Sequence, residues 1–226
     1  RLTLFGQILY VSIMIALFMV YLEIFRRDFY KVKGKLYLLF SIITVFPVIA
    51  FLMVEHAFLS VYIVPFAMIP MLIKIFLDSR TAFMAHIITI LITSIALRTP
   101  HEFILLQAVA GMAAIYSLRE LSQRSQLLNS AFIVTVTYSL LYLALDLVHV
   151  SEIAQLSTYV YMNFVINGLL LLFTYPLLFI LEKTFGFTSN VTLVELSNIN
   201  TKLMREMSET APGTFQHSLQ LANLTA

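Results

Sequence analysis

Long apolar runs constrain this chain more than any other feature of it. Residues 2–25 contain one charged residue, Glu23. A helix needs roughly 20 mainly apolar residues to cross a bilayer, and its backbone must be hydrogen-bonded internally there. Charged residues make up 12% of the chain, against about 25% in soluble domains. The sequence therefore predicts an all-α, multi-pass membrane protein.

Seven segments have the length and composition of membrane spans. They are residues 2–25, 36–54, 61–77, 81–97, 101–118, 127–149 and 158–181. The third and fourth are joined only by residues 78–80, which predicts a tight helical hairpin. Thr99 and Pro100 favour an N-cap and a first helical position, and Glu102 can reach back to that cap. Four prolines inside these segments predict kinks: Pro47, Pro65, Pro70 and Pro176.

The distribution of charge predicts an orientation. With seven spans, all fourteen Lys and Arg except Arg1 and Arg98 fall on one side. Cytoplasmic loops carry the excess of basic residues, so the N-terminus is predicted outside and the C-terminus in the cytoplasm. The net charge of +2 is too small to indicate DNA as a partner, and the absence of cysteine excludes disulfides.

Four polar residues lie deep in the predicted spans: His86, Gln107, Asn163 and Asn167. Asn163 and Asn167 are one helical turn apart, and His86 lies in the fourth span. Such residues either line a ligand pocket or form hydrogen bonds between helices, and the second role is the commoner one. Together with the kinks they leave open a transporter or channel with a regulatory tail. Gly111, close to Ala110 and Ala114, predicts that two helices approach closely.

Residues 182–210 form a polar linker after the membrane domain, residues 1–181. A heptad spacing predicts an amphipathic helix here, formed by Leu193, Leu196, Asn200, Leu203 and Met207. This seam could pair two chains in a homodimer, since a seam asparagine favours in-register pairs. It could equally pack on a following domain. A non-catalytic receptor or scaffold that pairs through the seam is therefore a second alternative.

The last segment, residues 211–226, begins with a helix break. Pro212 and Gly213 end one helix, and Thr214 is a plausible N-cap for another over residues 215–226. On that second helix His217 shares a face with Leu221 and Leu224.

The tail resembles the junction of a bacterial family of seven-transmembrane receptors with an intracellular HD hydrolase domain. The similar stretches are ELSNIN at 195–200, APGTFQHS at 211–218 and NLT at 223–225. Family members often carry histidine where this chain has Gln216. The resemblance implies a location in the bacterial plasma (inner) membrane and an N-terminal extracellular domain for an unknown ligand. It also implies hydrolysis of a cyclic dinucleotide, most often cyclic di-AMP.

The resemblance further implies that His217 is the first ligand of a site for two divalent metal ions, of the iron or manganese type. Two such ions can activate a bridging water for attack on phosphorus. No His-Asp dipeptide occurs in the sequence. The 226 residues are therefore expected to hold the membrane region and the start of the HD domain, and to be inactive alone.

Overall fold

A computed structural model of the protein describes residues 2–56, 60–118, 126–149, 158–189, 191–193 and 202–225. The helices are α1 (Leu2–Phe25), α2 (Lys33–His56), α3 (Met68–Phe76), α4 (Ser79–Ser94), α5 (Pro100–Ser117), α6 (Gln126–His149), α7 (Thr158–Leu171), α8 (Thr174–Phe185), α9 (Lys202–Thr210) and α10 (Pro212–Thr225). Two short 3-10 helices cover Arg27–Lys31 and Val61–Ile63. These ranges contain no strand, so the predicted all-α class is confirmed.

Three helices within the described ranges are long and apolar enough to cross a bilayer alone. They are α1, α2 and most of α6 (Gln126–Val148). Helices α7 and α8 meet the same criterion together, with a bend of 44° between them. Helix α1 buries Phe18 and Leu22 but leaves Leu4 and Phe5 more than 60% exposed. An apolar surface of this extent requires a cover, and lipid provides one.

The prolines lie mostly at helix breaks rather than inside helices. Pro65 precedes α3, and Pro70 and Pro176 are the third residues of α3 and α8. The 44° bend between α7 and α8 confirms the kink predicted in 158–181, whereas the predicted helix over 61–77 is interrupted at residues 64–67. A first-turn amide needs no partner within its helix, so proline is tolerated there. The ring of Pro176 displaces the carbonyl four residues earlier, which places the break between α7 and α8. Pro47 lies within α2.

The predicted tight hairpin is present between α3 and α4, and Asp78 forms its turn. Its carboxylate accepts hydrogen bonds from the amides of Arg80 and Thr81, at 2.9 and 3.0 Å. It also forms a 2.7 Å ion pair with Arg26. Burial favours a raised pKa for Asp78, but the bonds from Thr81 and Arg26 outweigh burial and lower it. The turn is therefore held by an ionised N-cap.

The start of α5 differs from the predicted capping arrangement. Pro100 is at the first position as expected, but the N-cap residue Thr99 forms no side-chain cap hydrogen bond. Glu102 does not reach back to the cap. Its carboxylate accepts a 2.6 Å hydrogen bond from the Tyr62 hydroxyl instead. A long-range partner has replaced the local one.

Side-chain contacts sort the helix ends into two groups. The first, here the basic end, joins the 26–33 loop to the α3–α4 turn through Arg26 and Asp78. Lys74 adds the last turn of α5 to this group by donating to the carbonyl of Ile115 at 2.6 Å. The second, here the opposite end, joins the segment after α2 to the start of α5 through Tyr62.

Candidate functional site

A buried polar network connects α4, α5 and α6. The fully buried His86 donates from Nε2 to the Gln107 carbonyl at 2.8 Å. The Tyr138 hydroxyl donates to Gln107 Oε1 at 2.5 Å. A Cβ atom added to Gly111 would lie 2.2 Å from His86 Nε2, so only glycine permits this approach. The imidazole takes the space that a side chain at position 111 would fill.

Asn167 holds the non-helical segment before α3. It is fully buried, and its Nδ2 donates to the carbonyls of Tyr62 and Val64, both at 2.9 Å. Buried carbonyls outside a helix need such donors. Asn163 is also buried, and its Nδ2 has no partner among the described residues. His86 bonds to Gln107 on α5, so the four predicted polar residues belong to two separate groups.

A cavity of about 420 Å³ lies at the opposite end, between the first turn of α5 and the last turns of α6. It is lined by Arg98, Thr99, Pro100, His101, Glu102, Leu105, Tyr142, Leu145 and Asp146. Sequence spacing gives no sign of this group, because Glu102 and Asp146 lie on different helices. Their position near predicted span ends was the only signal available.

The chain leaves the helical bundle through a segment packed against the basic end. Residues 186–189 and 191–193 are here named the junction segment. It starts at Gly186, whose φ of 73° is in the left-handed region and ends α8. The ring of Phe187 packs edge-to-face on Phe76, with centroids 5.4 Å apart. A Cβ atom on Gly34 would lie 2.6 Å from the Phe185 carbonyl oxygen, so α2 and the end of α8 are in close contact.

Glu182 connects α8 to the junction segment. Its Oε1 accepts from the Ser189 amide at 2.9 Å and from the Thr192 hydroxyl at 2.8 Å. Ser189 and Val191 are buried. The junction segment is thus tied to the bundle by aromatic packing and by one carboxylate.

The predicted seam is only partly described. Leu193 and Leu203 are exposed, Met207 is half-buried, and Leu196 and Asn200 lie outside the described residues. The homodimer therefore stays a prediction. A seam that paired with a second chain would cover the exposed leucines.

The last helix begins earlier than predicted. Helix α10 starts at Pro212, and the Phe215 amide donates to the Ala211 carbonyl at 3.0 Å. Thr214 is therefore inside the helix and is not its N-cap, because proline suits the first helical position. His217 is exposed on α10. The described part of the chain contains no group of three His, Cys, Asp or Glu that could hold a metal ion. One exposed imidazole does not fit two ions.

Long helices with exposed apolar side chains define an α-helical membrane protein. The model of a family described as 7TM receptor with intracellular HD hydrolase matches residues 1–189, and the chain belongs to this family. That match ends before the tail motifs at 195–225, so it confirms the predicted resemblance from a separate part of the chain.

Two curated relatives carry the name cyclic-di-AMP phosphodiesterase PgpH. The protein from Listeria monocytogenes serotype 1/2a (strain 10403S) is 32% identical over 188 residues, covering 78% of this chain and 25% of the relative. The protein from Bacillus subtilis (strain 168) is 26% identical over 234 residues, covering 97% of this chain and 33% of the relative. The chain thus spans a quarter to a third of the relatives' length. No solved structure matches it significantly.

Proposed function

We propose that this chain is the membrane-spanning signalling part of a receptor-type HD phosphodiesterase that hydrolyses a cyclic dinucleotide, with cyclic di-AMP as the substrate. The family match over residues 1–189 carries this proposal. The two relatives named as cyclic-di-AMP phosphodiesterases support the choice of substrate. The chain supplies the membrane region and the cytoplasmic exit towards the hydrolase.

The proposed topology has seven crossings, with the N-terminus outside and the C-terminus in the cytoplasm of a bacterial plasma membrane. The two groups of helix ends support it. Seven crossings place the 26–33 loop, the α3–α4 turn and the junction segment on one side, and contacts from Arg26 and Phe187 join these three. The same topology places the start of α5 with the segment after α2, which Tyr62 joins.

Transmission to the cytoplasm is proposed to run through the junction segment. Its contacts reach α2 at Gly34, α3 at Phe76 and α8 at Glu182. If these helices shift relative to one another, the packing of Phe187 changes. The first residues of the polar linker, residues 182–210, then move with it. The HD domain then begins at residues 211–226, which is the domain division predicted from the sequence.

His217 is proposed as one metal ligand of the full-length protein. The described residues provide no second ligand near it, so the other ligands for two iron- or manganese-type ions would come from sequence beyond these 226 residues. The polypeptide alone is accordingly proposed to be inactive. Neutral imidazole is a common ligand for such ions.

The test is His217→Ala in the full-length protein. We expect loss of cyclic di-AMP hydrolysis in isolated membranes, together with reduced metal content by mass spectrometry, because a ligand is removed. Gln220→Ala, on the same exposed helix, is the matched control and should leave both unchanged. Full hydrolysis with normal metal content in His217→Ala would contradict the assignment.

A further inference from the structure

The cavity at the opposite end has the dimensions of a small-molecule site. Its volume of about 420 Å³ falls within the range of about 300–1,000 Å³ that is usual for such sites. The proposed topology opens it to the outside of the cell, away from the junction segment. The proposed topology therefore determines from which side of the membrane a ligand enters. The residues that line the cavity determine which chemistry it binds.

The charges lining the cavity are unbalanced. Glu102 and Asp146 contribute two carboxylates and Arg98 one guanidinium, with His101 as the other titratable lining group besides Tyr142. No ion pair joins Arg98 to either carboxylate within the described ranges. The cavity therefore carries an excess of negative charge that a bound cation would neutralise.

Asp146 has an unsatisfied oxygen. Its Oδ2 is buried and has no hydrogen-bond partner among the described residues. A buried oxygen without a donor is costly, and more so when it is charged. Glu102, in contrast, is fixed by the 2.6 Å hydrogen bond from the Tyr62 hydroxyl. Asn167 in turn holds the backbone of Tyr62 by donating to its carbonyl. Glu102 is thus positioned by the protein, whereas Asp146 Oδ2 has no donor among the described residues.

Aromatic rings complete the cavity wall. Tyr142 lines the cavity and packs edge-to-face against Tyr161 and Phe164, with centroids 5.6 Å apart in both pairs. Phe164 also stacks on Tyr138 at 5.3 Å. Tyr142 is therefore supported from behind. An aromatic face beside carboxylates is the usual environment for an ammonium group, since the ring quadrupole attracts cations.

We propose that this cavity binds a small molecule carrying an ammonium group, held by Asp146, Glu102 and the ring of Tyr142. A bound ammonium group places a positive charge beside the Asp146 carboxylate, which forms no ion pair among the described residues. Arg98 lies on the same wall, so a ligand with an additional carboxylate also fits. The proposal concerns binding alone and does not depend on the hydrolase assignment.

Isothermal titration calorimetry of the full-length protein in phosphatidylglycerol nanodiscs tests the proposal, with choline as the probe. We expect saturable binding to the unchanged protein, and affinity lower by roughly tenfold or more in Asp146→Asn and in Tyr142→Leu. Asp28→Asn removes an exposed carboxylate near the basic end and should bind choline as the unchanged protein does. Acetate, which lacks the ammonium group, should give no saturable heat.

Two further measurements keep the result interpretable. Asp146→Glu retains the charge and should recover choline binding, which separates loss of the carboxylate from loss of the fold. Repeating the titration with phosphatidylethanolamine in the nanodiscs identifies the source of the natural ligand. Weaker apparent choline affinity there assigns a lipid headgroup, and unchanged affinity assigns a free solute. Equal choline affinity in Asp146→Asn and the unchanged protein, or no saturable binding in either, would overturn the proposal.

Discussion

The close contact between α4 and α5 depends on the single residue Gly111. Its missing side chain leaves room for the His86 ring, which in turn bonds the backbone of Gln107 in the same helix. The small residues Ala110 and Ala114 flank this contact and are fully buried. In a membrane, where apolar burial drives association less than in water, such close packing contributes much of the stability.

Replacing Gly111 with alanine should destabilise the bundle. The added Cβ overlaps His86, which must move and lose its bond to Gln107, and overpacking of this kind costs about 1–3 kcal/mol. Thermal unfolding followed by circular dichroism in nanodiscs measures the change. Gly6→Ala is the matched control, because no atom lies within 4 Å of its added Cβ. It should match or slightly exceed the unchanged protein in stability, and equal melting of the two variants would contradict the packing role of Gly111.

The sequence predicted helices best where a single property decided the outcome. Length and apolarity were sufficient for α1, α2 and α6. The predicted hairpin followed from the polar residues 78–80, and Asp78 is its N-cap. Proline position was harder to interpret, because the same residue kinks a helix interior or starts a new helix. Pro65, Pro70 and Pro176 took the second role, which depends on the neighbouring packing.

The site was less predictable than the helices. His86 and Asn167 were recognisable as polar residues in apolar segments, but their partners are backbone carbonyls of distant segments. Backbone groups leave no signature in the sequence. Glu102 has a local explanation as a capping residue, and the structure replaces it with Tyr62, 40 positions away. Long-range partners of this kind require the tertiary arrangement.

Phe187→Ala should loosen the junction segment. The ring loses its contact with Phe76, and truncation of a half-buried phenylalanine costs roughly 1–3 kcal/mol locally. Hydrogen exchange measured by mass spectrometry should show faster exchange at residues 186–193, including the Ser189 amide that Glu182 now holds. Phe132→Ala, at an exposed position on α6, is the control and should leave these amides unchanged. Unaltered exchange in Phe187→Ala would show that Glu182 alone holds the segment.

The two ends of the helical bundle differ in their chemistry. The basic end contains the 26–33 loop, the α3–α4 turn and the junction segment. The opposite end has an acidic cavity with aromatic support. In the proposed seven-crossing topology, this bundle places the cavity on the outside and the junction segment at the cytoplasmic face, which is the arrangement expected of a receptor.

Cysteine labelling of this chain tests the arrangement directly, because its 226 residues contain no cysteine. In intact cells a membrane-impermeant maleimide should label His101→Cys, at the opposite end. It should label Thr188→Cys, in the junction segment, only after the cells are opened. Both positions are exposed in the folded chain. The reverse pattern, or labelling of both in intact cells, would contradict the seven-crossing topology.

The packing of Phe187 against Phe76 and Gly34 determines where the chain should be cut if its parts are to be produced separately. A cut at residue 181 would remove the Phe187 ring from its contacts with Phe76 and Gly34. The ring would then be exposed on the C-terminal piece, where it would promote aggregation. A cut after Leu193 keeps Phe187 on the membrane part. The Ser189 amide and the Thr192 hydroxyl, which donate to Glu182, stay on that part as well.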